Sequence, residues 1–226
     1  ADEIAAFHLL SRIGDIHTRL VDMEARVKTM DEQGVDMHVL SLTAPGVQSF
    51  SPEVALRVAQ FTNDRLAQIV NDNPNRYAAL ASVPPHDVAG AVAEIKRARR
   101  ELRLSGIIIN SHTRGEYLDD RRYWPIFAAA VETGAPVYIH SRTPNPQMAP
   151  LFRDYSLWGA IYGYGAETAL HIIRLISSGV FDEYPDLRVI IGHMGEGLPY
   201  WFYRIDHMHR NMVTLAKVPM RPVLKR

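Results

Sequence analysis

The apolar positions along the chain alternate between helical stripes and short continuous runs. Leu20, Met23, Val27 and Met30 recur at helical spacing, and Gly34 can close that helix. Met37-His38-Val39-Leu40-Ser41-Leu42 follows as a strand. Ser51-Pro52-Glu53 then offers a cap and a first-turn proline to a helix lined by Val54, Val58, Phe61 and Ile69. A strand over Tyr77 to Val83 ends at Pro84-Pro85, and Asp87 can cap a helix striped by Val88, Ala91, Ile95, Ala98 and Leu102. Gly106 to Ile109 is a strand; Trp124, Phe127 and Val131 mark a helix closed by Gly134; Val137 to His140 is a strand. Leu170, Ile173 and Ile176 stripe a helix ending near Gly179, before a strand over Arg188 to Ile191.

Short apolar strands separated by amphipathic helices indicate an α/β protein whose parallel strands are covered on both faces. A doubly wound sheet and a barrel both satisfy this pattern, and both place their chemistry at the C-terminal ends of strands. Polar residues stand at those ends: Ser41, Asn110, His140 and His193. The legible strands fall short of the eight of a closed barrel. On a barrel reading the first strand and the last two are therefore missing from this sequence; Val213 to Arg226 is no obvious strand, and Lys217 to Pro222 reads as a linker or loop.

Composition narrows the function classes. At 226 residues and 47% hydrophobic, the chain has enough apolar material for one sizeable soluble core. Its 25 basic and 25 acidic residues cancel, and the densest basic segment, Lys96-Arg97 with Arg99-Arg100, lies on a predicted helix. No nucleic-acid partner is expected from such a field. No apolar run approaches the ~20 residues of a membrane span, and Ala1-Asp2-Glu3-Ile4 lacks the layout of a secretion signal. The expectation is a cytoplasmic protein with no membrane partner. Without cysteine, thiol nucleophiles and zinc–thiolate sites are excluded from the chain. There is no Gly-x-Ser-x-Gly elbow, and the glycines around His193 fit neither a dinucleotide fingerprint nor a phosphate loop.

Two histidines stand out by position. His140 ends a strand and precedes Ser141-Arg142-Thr143-Pro144. A neutral imidazole there can bind a borderline metal or simply hydrogen-bond within a polar cap, and the βα position favours a ligand. His193 lies in Ile191-Gly192-His193-Met194-Gly195-Glu196-Gly197, where Glu196 is close enough to orient the imidazole. Alternatively, the glycines serve only a tight turn and Glu196 caps the next helix.

Tyr200, Trp201, Phe202 and Tyr203 then offer either a pocket wall for a flat ligand or core packing. Arg204 offers a carboxylate clamp or a partner for Asp206. His193, His207 and His209 do not make a metal site by spacing alone. Tyr162-Gly163-Tyr164-Gly165 can bring phenols near a pocket, which makes Tyr162 a candidate substrate contact. The loops Ser41 to Gly46 and Asn110 to Tyr117 are weaker candidates, and His8, His17 and His38 read as surface or ordinary packed residues.

The segment Ile191 to Asp206 resembles the nonoxidative decarboxylase branch of the amidohydrolase superfamily, and Val39 to Gln48, Val137 to Pro144 and Gly159 to Thr168 agree with it. The resemblance runs from about Leu20 to Asn211. It is nearest to the 5-carboxyvanillate decarboxylases, with the γ-resorcylate and 2,3-dihydroxybenzoate decarboxylases as close relatives. It implies an amidohydrolase-type (β/α)8 TIM barrel, with residues 1–226 as one catalytic domain lacking the first and last barrel strands.

The implied reaction is metal-dependent conversion of 5-carboxyvanillate to vanillate and CO2. Matched by motif, His140 would be a metal ligand, His193 the catalytic histidine, Glu196 its orienting partner and Arg204 the group that binds the substrate carboxylate. The resemblance further implies a divalent cation, manganese first and zinc as the alternative, no organic cofactor, and a homodimer or homotetramer. Family members also use an N-terminal glutamate, often with a histidine, and a proton-donating aspartate after strand eight; neither can be placed in this sequence. A sister hydroxybenzoate substrate, amidohydrolase-type hydrolysis and noncatalytic binding of an aromatic acid are the alternatives.

Overall fold

The computed structural model describes residues 20–211. The expectations for Ala1 to Ile4, His8, His17 and Val213 to Arg226 lie outside the described residues. Helix α1 (Met23–Glu32) starts at Asp22, whose carboxylate accepts the N–H groups of Glu24 and Ala25 at 2.9 and 3.1 Å. It leads to β1 (His38–Leu40). Helix α2 (Pro52–Asp72) carries the expected first-turn proline, but the Ser51 side chain makes no capping bond. Pro52 has no N–H to satisfy and its fixed φ already suits the first turn. After β2 (Tyr77–Ser82), Asp87 caps α3 (Val88–Arg100) by accepting the Gly90 N–H at 2.9 Å. The cycle continues with β3 (Gly106–Asn110), α4 (Trp124–Glu132) and β4 (Val137–His140). Then come α5 (Gly163–Ser178), a short α6 (Val180–Glu183), β5 (Val189–Ile191) and α7 (Leu198–Asn211).

The five strands form a parallel sheet in the order β1-β2-β3-β4-β5. A doubly wound sheet reverses its strand order at a switch point. This sheet never does, so right-handed crossovers put every connecting helix on one side, as in an arc of a (β/α) barrel. Of the two architectures the apolar pattern allows, the strand order selects the barrel.

Side chains alternate across the arc. Leu40, Tyr77, Ala79, Ala81, Ile107, Ile109, Val137 and Ile139 face the helices and join Met30, Ile95, Ala98, Ile126, Phe127, Ile172 and Leu175 in the main core. The intervening positions line the inner face. Its middle is covered, with Ile108 at 2% and Leu80 at 8% exposure, whereas Val39 and Ile190 on the two edge strands stand 58% and 46% exposed. The C-terminal rim of this inner face carries Asn110 and His140.

Two faces differ from expectation. Phe61, expected to line α2, is 75% exposed, and that helix buries the small residues Ala55, Ala59 and Ala67 with Asn63, which let it approach the sheet closely. The periodicity of Leu170, Ile173 and Ile176 suggests the inward stripe of α5, yet its buried residues are Glu167, Thr168, His171, Ile172 and Leu175. Ile173 and Ile176 only flank the core. The helix turns its polar residues inward because the loops after β3 and β4 supply their hydrogen-bond partners, and an apolar stripe carries no trace of that. Among the described residues, no helix is long and apolar enough to cross a membrane.

Candidate active site

The parallel register sets Asn110 at the end of β3 beside His140 at the end of β4. His140 Nδ1 lies 3.0 Å from Asn110 Oδ1. A carbonyl oxygen only accepts, so Nδ1 carries the proton and Nε2 keeps its lone pair, the form in which imidazole binds a metal. Burial, and secondarily the neighbouring His193, holds His140 below the ordinary imidazole range. It is therefore neutral at pH 7.

His193 is delivered by an unusual turn. After Gly192, residues His193, Met194, Gly195, Glu196 and Gly197 all have positive φ, at 48°, 61°, 83°, 52° and 73°. Left-handed backbone costs a non-glycine residue roughly 1–2 kcal/mol, and three of the five carry side chains. The turn brings the His193 ring to 5.7 Å from that of His140, centroid to centroid. It also folds Glu196 back, so that Oε1 accepts from His193 Nδ1 at 2.6 Å.

Two glycines make room for this arrangement. A Cβ on Gly165, in the first turn of α5, would lie 3.0 Å from Glu196 Oε2, and one on Gly192 would lie 2.6 Å from the Tyr138 hydroxyl. The Glu196 side chain is 7% exposed and that of His193 52%. Of the two roles open to Glu196, its carboxylate is engaged with His193, which leaves Nε2 of that ring to meet a ligand. The result is two imidazoles, one held by an amide and one by a carboxylate, at the rim of the inner face.

Among the described residues, Tyr162 and Arg204 make no hydrogen bond or ion pair with His140 or His193. Tyr162, at the start of α5, is 61% exposed and packs its ring 6.1 Å from Phe152. Arg204 is exposed on α7 and makes no ion pair among the described residues, and Asp206 is paired with Arg210 at 2.9 Å instead. On α7, Leu198, Phe202 and Ile205 face inward at helical spacing. Tyr200, Trp201 and Tyr203 point outward at 92%, 56% and 80% exposure, so the aromatic run forms neither core nor an enclosed wall here. His207 stacks near Tyr203 at 6.5 Å. Among the described residues no group of three His, Asp or Glu side chains is placed to hold a metal.

Sequence reasoning missed a sealed polar cluster behind the site. Glu167 accepts from the Ser111 hydroxyl at 3.0 Å, the Tyr117 hydroxyl at 3.1 Å and the Asn145 N–H at 2.8 Å. His171 approaches Ser111 Oγ through Nδ1 at 3.1 Å and accepts the Leu118 N–H on Nε2 at 3.1 Å. Burial pushes the Glu167 carboxyl up and the His171 imidazole down to about 3. The one available signal was the four-residue spacing of Glu167 and His171, which puts both on one helical face.

A family profile described as Amidohydrolase matches residues 14–220. A γ-resorcylate decarboxylase from a Polaromonas species is 37% identical over 216 residues, covering 92% of this chain and 66% of that protein. The crystal structure of 5-carboxyvanillate decarboxylase from Sphingomonas paucimobilis aligns with a TM-score of 0.86 at 44% identity, over 92% of this chain and 64% of that one. A 5-carboxyvanillate decarboxylase from Novosphingobium aromaticivorans, complexed with manganese and 4-hydroxy-3-methoxy-5-nitrobenzoic acid, gives a TM-score of 0.86 at 44% identity over 88% and 57% of the two chains. This chain thus spans less than two thirds of the length of these relatives.

Proposed function

Because the chain belongs to the amidohydrolase family, we propose that it supplies His140, His193, Glu196 and Arg204 to a metal-dependent, nonoxidative decarboxylase that converts 5-carboxyvanillate to vanillate and CO2. The observation that carries this reading is the pair of oriented imidazoles, 5.7 Å apart at the strand ends, with Glu196 behind His193. Similarity at 44% identity to two 5-carboxyvanillate decarboxylases supports the substrate. The 37% identical γ-resorcylate decarboxylase favours that sister acid as the second reading. Residues 1–226 belong to one barrel domain in this view, within a homodimer or homotetramer.

The donor chemistry at His140 fits a divalent cation of borderline hardness: a neutral imidazole at a strand end, its second nitrogen fixed by an amide. Manganese, present in the Novosphingobium relative, is the first choice and zinc the alternative; further donors lie outside the described residues in this reading. When bound, the cation polarises the substrate phenolate and carboxylate and holds the ring.

His193 meets the reacting carboxylate through Nε2 while Glu196 fixes the proton on Nδ1 and stabilises charge on the ring. Arg204 holds the carboxylate until release. In this reading the aspartate that the resemblance implies after strand eight gives its proton to the ring carbon that bears the carboxylate, the carbon–carbon bond breaks, and its electron pair restores aromaticity as CO2 leaves. No electron is exchanged with a partner, so no organic cofactor is required; the demand is stabilisation of the charge-shifted ring.

The test is a panel of acids given to manganese-loaded, full-length protein. Vanillate and CO2 should form from 5-carboxyvanillate with a higher kcat/KM than product from 2,6- or 2,3-dihydroxybenzoate. A preference for the 2,6 isomer moves the assignment to the sister reaction, and no turnover of any of the three refutes decarboxylation. In the same assay Arg204→Ala should raise KM about ten- to hundredfold, the worth of a charge-assisted hydrogen bond, with a smaller change in kcat.

A further inference from the structure

The end of β3 is held more tightly than a strand end requires. Ile107, Ile108 and Ile109 give way to Asn110, whose side chain is buried at 3% exposure. Its backbone is clamped by Gln48, itself 2% exposed, in the short turn Gly46–Ser49 that follows β1. Gln48 Oε1 accepts the Asn110 N–H at 2.8 Å. Gln48 Nε2 lies 3.1 and 3.2 Å from the carbonyls of Asn110 and His112 and 2.7 Å from Thr113 Oγ1. On the other side of the carboxamide is Gly46, with φ +60°, where a Cβ would lie 2.4 Å from Asn110 Nδ2. The carboxamide is thus packed against Gly46 on a clamped backbone, with its Oδ1 3.0 Å from His140 Nδ1.

This matters because a neutral imidazole in water prefers the proton on Nε2. Left alone, His140 would favour the tautomer whose Nε2 cannot act as a ligand. An acceptor at Nδ1 reverses the preference. We propose that Asn110 is a positioning residue for the divalent-metal site: it holds His140 in the Nδ1–H tautomer, with Gly46 and Gln48 as the template that seats it. The proposal rests on the metal-dependent reading above, and its first readout needs no metal.

Long-range proton–nitrogen NMR of metal-free, full-length protein, with His140 assigned through His140→Gln, should show Nδ1 protonated and Nε2 bare. Asn110→Leu should return His140 to the Nε2–H form and raise the dissociation constant for Mn2+, measured by equilibrium dialysis, about ten- to hundredfold. Asn110→Asp keeps an acceptor and should retain both the tautomer and the affinity, which separates positioning from a general loss of packing. Gly46→Ala, which pushes the carboxamide from its seat, should act in the same direction as Asn110→Leu.

A wild-type Nε2–H tautomer, or an Asn110→Leu protein that keeps the Nδ1–H form and the affinity, overturns the proposal. So does Asn110→Asp that behaves like Asn110→Leu. Unchanged Mn2+ affinity in His140→Gln would instead overturn the metal reading itself, a result distinct from any change in tautomer.

Discussion

Among the described residues, two histidine–glutamate pairs are built from the same side chains and used in opposite ways. In the pair on α5, Glu167 and His171 are fully buried, and both His171 nitrogens have partners, Ser111 and the Leu118 N–H. In the pair after β5, His193 is half exposed and commits only Nδ1, to Glu196. The first is a joint that ties two loops to a helix; the second has a nitrogen left to meet a ligand. Residue type and proximity are shared, so neither makes a site. What separates them is an uncommitted lone pair with access from outside.

The contrast can be broken most forcefully at His193. His193→Ala should lower kcat by about two to four orders of magnitude, the usual worth of a positioned acid–base group, while urea unfolding moves by less than about 1 kcal/mol. Unchanged kinetics at matched metal content would remove His193 from the chemistry. Next is Glu167→Ala, which leaves the Ser111 and Tyr117 hydroxyls and the Asn145 N–H without their acceptor. Unfolding should become easier by about 3–5 kcal/mol, and a stability equal to wild type would show that the cluster is no joint.

The smallest effect lies in pH. His171 is neutral in the fold down to about pH 3, whereas the unfolded imidazole titrates near 6.5. Between those values only the unfolded chain takes up the proton, so stability falls as pH drops through that window. Glu167, raised by burial, works in the opposite sense above its unfolded value of 4.5. Comparison with His171→Asn cancels its part. Below pH 6 the stability advantage of wild type over that variant should shrink by up to about 1.4 kcal/mol per unit; a constant difference would mean His171 titrates alike in both states.

Much of the fold was legible because continuity of apolar residues is a local property. The strands near Leu40, Ala79, Ile108, Ile139 and Ile190 fall where the short apolar runs lie, and Gly179 ends α5 in the left-handed conformation a helix stop requires. The choice between barrel and doubly wound sheet was not legible in the apolar pattern, since both contain the same βα unit and only strand order distinguishes them; the motifs of Ile191 to Asp206 carried the barrel reading instead. Residue position and spacing suggested a functional role for His140, His193 and Glu196, but not which nitrogen each ring would commit. The outward turn of Tyr200, Trp201 and Tyr203 was hidden, because with apolar residues on nearly every side of that helix a stripe is ambiguous. Glu167 and His171 were hidden for the converse reason: polar residues read as surface until their partners in distant loops are known.

The glycine-rich turn after β5 has a consequence for which substitutions this protein tolerates. Met194 is 95% exposed, and nothing among the described residues packs against it closely enough to restrict its size or polarity. Its backbone, with φ 61°, nevertheless shuts out valine, isoleucine and threonine, whose branching at Cβ tolerates that geometry worst. Asparagine and glycine enter freely. The loop that presents His193 is thus filtered by handedness instead of by contact, and variation at this solvent-facing position is confined to a far narrower set of amino acids than its accessibility suggests.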